Sequence, residues 1–214
     1  PRRSVAASCP RCTSAAHETE CVRTRQVHGT IRPLWRPDVA AYESFAGLVY
    51  RRAAELPTYL PWPMSPGWSI ADFGCVGAGD RVQATVTTTV GVSDLDGDVG
   101  VTLVSEDPGV GLGARCSGTA YDDPGPQISN GPPAVHVRAA GRTVPLWLVE
   151  PDGDDGDPLS RAVFVGEAEG RWLWLVTRPA SAALLLQDDW LLADVTGFGP
   201  EALAMPFGGR RPTW

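Results

Sequence analysis

The sequence predicts an α+β fold, a mainly antiparallel β-sheet with two short helices, carrying a small N-terminal zinc-ribbon-like head. Three observations predict it. Twenty prolines and 24 glycines in 214 residues cut the chain into short elements joined by turns. Several segments alternate apolar and polar residues with the period of a strand. Three of the five cysteines and two of the three histidines crowd into residues 9–29, CPRCTSAAHETECVRTRQVHG. Residues 1–36 are therefore read as head and linker, and 37–214 as the β-rich domain. Hydrophobic residues make up 43% of the chain, enough for a real core.

In the head, Cys9-Pro-Arg-Cys12 lets two thiolates converge on one ion. Cys21 is the natural third ligand. The fourth is His28 or His17, and His28 is preferred because Gly29 after it suits a tight turn. The set Cys9, Cys12, Cys21 and His28 fits a closed, structural zinc site, which supports folding rather than hydrolysis. The segment 30–38, TIRPLWRPD, reads as a linker.

Asp38 is placed to cap a helix through VAAYESFAGLVYRR, with Tyr42, Phe45 and Val49 on one stripe. Prolines 57, 61, 63 and 66 exclude a helix from 56–68 and leave an extended arm with Tyr59, Trp62 and Trp68. That arm either lines a groove or straps across the sheet, and the strap is preferred. RVQATVTTTVGV reads as a half-exposed strand, valines to the core and threonines to water. DLDGD (94–98) is a hairpin turn; a calcium loop would need its glycine where Val99 stands. VGVTLVSE (99–106) returns, and 107–118 reads as a glycine-rich turn between strands with no helix after it. DDPGPQISNGPP (122–133) is a loop, RTVPLWLVE (142–150) a strand, and PDGDDGDP (151–158) an acidic loop. RAVFVGEAEG and RWLWLVTRP pair around Glu169–Gly170, and the apolar run 172–176 marks a central strand covered on both faces. A short helix from Pro179, a last strand in 188–195 and a glycine- and proline-rich tail complete the chain.

Function classes are bounded mostly by exclusion. The chain has no lysine, which rules out a Walker A loop, Schiff-base or pyridoxal chemistry and a protein kinase. Neither G-x-S-x-G nor H-E-x-x-H occurs. His136 is the sole histidine outside the head and is read as a structural strand residue. Glu106, Glu150, Glu167 and Glu169 could offer a carboxylate pair, though the sequence sets no distance between them. Gly109, Gly111, Gly113 and Arg115 form the candidate anion site.

Net charge is -7, yet residues 1–36 hold seven arginines against Glu18 and Glu20. A basic head on an acidic body admits an anionic partner or a head docked on its own body. Nucleic-acid binding through it is expected to be weak. No run approaches a membrane span. An odd cysteine count and an opening PRRSVAAS without an apolar stretch point to the cytoplasm. Cys75 and Cys116 are read as small buried hydrophobes in strand-like contexts.

LPWPMSPGW, PGVGLGAR, GRTVPLW and RAVFVGEAEGRWLW together resemble the shared blocks of an actinomycete protein family of unknown function with a ribbon-like head. The resemblance spans most of residues 9–200. It implies C-P-x-C followed by C-x2-H-G. Cys9, Cys12, His28 and Gly29 match, Arg25 stands at the third cysteine, and Cys21 is the available substitute. It implies no reaction. The reading that results is a non-enzymatic binding or regulatory protein with a structural zinc, partnered by a protein or an anionic small molecule. A small enzyme acting on a phosphorylated metabolite at residues 109–115 is the alternative.

Overall fold

The structure is a computed structural model that describes residues 34–214 apart from 52–54, 79–80, 120–121, 126–127, 152–158 and 189. Cys9, Cys12, His17, Cys21 and His28 lie outside the described residues, as does most of the acidic loop at 151–158.

The strands are β1 (Leu34–Trp35), β2 (Tyr59–Pro61), β3 (Ser69–Ala78), β4 (Arg81–Ser93), β5 (Gly97–Glu106), β6 (Val135–Ala139), β7 (Arg142–Val149), β8 (Ala162–Ala168), β9 (Arg171–Arg178) and β10 (Leu191–Asp194). They form one sheet in the order β1-β3-β4-β5-β9-β8-β7-β6-β10-β2. Every pairing is antiparallel except β10 with β6. The helices are α1 (Tyr42–Arg51) and α2 (Leu112–Ser117), with 3₁₀ turns at Ala180–Asp188, Val195–Gly197 and Pro200–Ala204.

Leu34 and Trp35, expected in a linker, instead pair with Val76 and Cys75 of β3. Burial of Leu34 in the core anchors them there. The helix α1 starts at Tyr42, later than an Asp38 cap predicts. It buries Phe45, Leu48 and Val49 against Phe73 and Ile70 of β3.

The sheet curls until its last strand lies over its middle. Thr85 Oγ1 donates to the Pro57 carbonyl at 2.8 Å, and Thr87 Oγ1 to the Tyr59 carbonyl. The proline arm is thus a strap, and the threonine face of β4 is buried rather than exposed. The correction has a simple cause. A proline-rich arm has few N–H groups to offer a sheet, but its carbonyls accept from a row of hydroxyls. Each such bond is worth about 1 kcal/mol net. The opposite, valine face carries a second core, where Ala84, Val86, Val104, Trp174 and Val176 meet Leu112 and Cys116 of α2. The strand β9 is buried from Leu173 through Thr177, as a central strand should be.

The helix α2 corrects the expectation of a plain turn at 107–118. Gly111 (φ 82°) and Gly118 (φ 75°) bracket it in left-handed conformations suited to glycine. Cys116 is accordingly helical, though buried as expected, and Cys75 is buried in β3. Among the described residues no helix is long and apolar enough to cross a membrane.

Candidate functional site

The start of α2 has no side-chain cap of its own. Glu106, at the end of β5, supplies one: its carboxylate accepts the amides of Leu112 (2.8 Å) and Gly113 (3.2 Å). Glu106 is fully buried, and burial pushes its pKa up to about 8 against the opposing pull of those two amides. Gly113 leaves room for the Trp174 indole, which a Cβ would meet at 2.3 Å. Gly109 turns with φ 76° and donates to Asp123 Oδ1 at 2.8 Å. Arg115 lies over the Trp214 ring, 4.9 Å from its centroid, and Arg36 lies over the same ring at 4.2 Å. The four predicted anion-site residues are therefore brought together around α2, where amides of the loop meet carboxylates of the chain itself.

The other sequence candidates are scattered. His136 is exposed on β6, and Glu150, Glu167 and Glu169 are exposed while Glu106 is buried. Register places Glu106 and Glu167 on either side of Trp172, two strands apart, or roughly 10 Å. Among the described residues no three His, Cys, Asp or Glu side chains gather to hold a metal.

A cavity of about 560 Å³ opens on the valine face of the sheet, with no residue of α2 in its lining. Its floor is Val90 and Thr88 of β4 with Gly100 and Thr102 of β5. Register sets Val90, Gly100 and Arg178 side by side, and Thr88, Thr102 and Val176 in the next row. Thr88 and Thr102 share a 2.9 Å hydrogen bond. Gly100 puts no side chain beside Arg178, so the floor is bare there. Ser160, Arg178 and Pro179 form one wall, and the tail Gly209–Thr213 forms the other.

Asp72 pins that tail. It is fully buried, and its carboxylate accepts from Arg36 Nε (2.8 Å) and from Arg211 Nη2 (2.7 Å). Arg211 also donates to the carbonyls of Pro37 and Asp38, and Arg36 to that of Pro212. Two partly exposed guanidinium groups on one buried carboxylate give the pairing that a charge in an apolar strand requires. The one sequence signal for this was a lone acid inside the apolar run IADFGCV. Neither Asp72 nor the cleft was anticipated.

A family model matches residues 3–213, nearly the whole chain, and describes a family of unknown function (DUF6758). The chain belongs to the DUF6758 family. All four blocks that carried the resemblance above fall inside the matched span. No curated protein and no solved structure matches it. For a DUF6758 chain, the chemistry must therefore be argued from the geometry of the cleft.

Proposed function

We propose that this protein is a non-enzymatic binding module. Its ligand is an anionic small molecule seated between the tail and the floor of β4 and β5. The size of the cleft carries this reading: about 560 Å³ falls within the range of small-molecule sites. Its lining supports it too. Among the described lining residues, Arg178 and Arg210 outnumber the one carboxylate, Asp98, Arg211 being already paired with Asp72, and neither histidine nor cysteine stands beside the hydroxyls. That set orients an anion but offers no obvious activated nucleophile.

The rival reading, an enzyme acting at residues 109–115, requires a polar pocket there. Val110 through Ala114 are buried instead, and they do not line the cleft. In our reading Cys9, Cys12, Cys21 and His28 hold a structural zinc that stabilises the head. The seven arginines of residues 1–36 give at most weak, salt-labile contact with nucleic acid, since the affinity depends on counterion release.

Gly100 provides the test. A Cβ there meets only Val90 Cγ1 at 3.8 Å and the Thr89 carbonyl at 3.9 Å, which is ordinary contact. Gly100→Leu thus seats its Cβ without a clash and projects the rest of its side chain into the cleft. The full chain is incubated with a metabolite extract of its own cells, desalted, denatured and analysed by mass spectrometry. Wild type should retain a small anion that Gly100→Leu does not. Equal retention by both, or none by either, would refute the proposal.

A further inference from the structure

Among the described residues, two acids are each shared by a pair of arginines. Arg36 and Arg211 share Asp72. Arg81, itself exposed, and Arg171 share Asp107 at 3.4 and 3.3 Å. A third pair, Arg161 and Arg178, has no such acid: among the described residues neither enters an ion pair.

The two are held together at the C-terminal end of α2. Arg178 Nη2 donates to the Cys116 carbonyl at 2.8 Å. The Arg161 guanidinium packs so closely on Gly118 that a Cβ there would sit 2.7 Å from its Nη2. The carbonyl end of a helix attracts cations, which explains why arginines collect here. It does not satisfy them. Among the described residues, Arg178 Nη1 and Arg161 Nε are buried with no hydrogen-bond partner. Burial lowers the pKa of Arg178, and the charge of Arg161 lowers it further. Two like charges in a partly desolvated site, with N–H groups unpaired, are costly unless an anion joins them.

The cleft opens beside this pair. Arg178 lines it, and Gly100, directly across in register, leaves the adjacent space empty of side chain. We propose that Arg178, backed by Arg161, is the anion subsite of the cleft, and that the ligand supplies the missing acid as a phosphomonoester dianion. This rests on the cleft being the binding site. The charge argues for a dianion over a carboxylate, because Arg178, which lines the cleft, has the second positive charge of Arg161 behind it at the end of α2. The planar fork of arginine also suits two phosphate oxygens at once. The apolar remainder of the ligand would lie along Val90, Val92 and Pro212.

The probe is phenyl phosphate, with inorganic phosphate, benzyl alcohol and vesicles containing phosphatidic acid as comparisons. Each is measured by thermal shift or flotation on the full chain. Phenyl phosphate should stabilise the wild type by mass action while benzyl alcohol does not. Arg178→Met should weaken phenyl phosphate by about tenfold or more, the scale of a lost charge-assisted contact. Gly100→Leu keeps Arg178 in the sequence and should also abolish the shift, so a misfolded Arg178→Met cannot decide the matter alone. Binding of either the soluble phosphoester or the lipid headgroup supports the inference, and which one binds identifies the source. No phosphate probe binding, or binding that survives Arg178→Met, would overturn it. If the metabolite retained in the Gly100→Leu comparison is a carboxylate indifferent to Arg178→Met, the cleft stands and the phosphoryl class falls. If nothing is retained at all, both fall.

Discussion

Replacing Glu106 with glutamine should remove a pH dependence from the stability of the whole domain. The wild-type carboxyl is buried beneath α2, and its pKa rises from 4.5 to about 8, chiefly because the charged form is desolvated. In the unfolded chain it returns to its ordinary value. Between those two values the folded state holds a proton that the unfolded state has lost. Stability from this group is thus full below about pH 4.5, falls as pH rises, and is lost once pH passes about 8. The gap of ~3.5 units, at about 1.36 kcal/mol per unit, sets an upper limit near 5 kcal/mol. About 4 kcal/mol of it should be lost between about pH 5 and about pH 8.5. The assay is urea unfolding of wild type and Glu106→Gln across that range. Glutamine cannot ionise, and it places an NH2 where one backbone amide now donates, so its absolute stability will be offset. The offset is independent of pH, and other titrating groups cancel in the difference. The stability of the wild type minus that of the variant should therefore fall as pH rises, whatever the offset. Parallel profiles would show that the amides of Leu112 and Gly113 outweigh desolvation and hold the carboxyl near its ordinary value.

Gly113→Ala should drive a methyl into the Trp174 indole, 2.3 Å away. Overpacking of this kind costs about 1–3 kcal/mol. Thermal unfolding should fall by roughly 2–4 °C for each of those kcal/mol; an unchanged Tm combined with altered anion binding would give this glycine a ligand role instead. Elemental analysis of untagged protein should find about one zinc per chain, and Cys12→Ser should lose it while the melting of the β-rich body persists. Metal-free protein with reactive Cys9 and Cys12 would argue against the zinc site.

The elements that were legible from sequence are those whose pattern is local. The hairpin turn at Asp94–Asp96, the pair β8 and β9 around Glu169–Gly170, and the central strand β9 follow from turn residues and runs of apolar side chains. The stripe of α1 was legible for the same reason, although its first residue was not. The errors share a different cause. An alternating strand looks half-exposed until something covers its polar face. On β4 the cover is the proline strap, which arrives from 28 residues away to meet Thr85 and Thr87. The helix α2 has no local N-cap to announce it, because its cap is a carboxylate six residues upstream on β5.

Composition sets the chemistry this protein can bring: arginine as its only strongly basic side chain, and no lysine-dependent catalysis. Tertiary structure alone decided where that chemistry is used. Arg36, Asp72 and Arg211 are far apart in sequence and meet because the tail crosses the sheet beside β1. Arg161 and Arg178 meet at one end of α2 because β8 and β9 begin and end there, and Gly100 lies beside them only through the register of β5 on β9. A cleft exists where long-range pairings bring polar groups together and leave a space unfilled. No periodicity within a single segment records such a meeting.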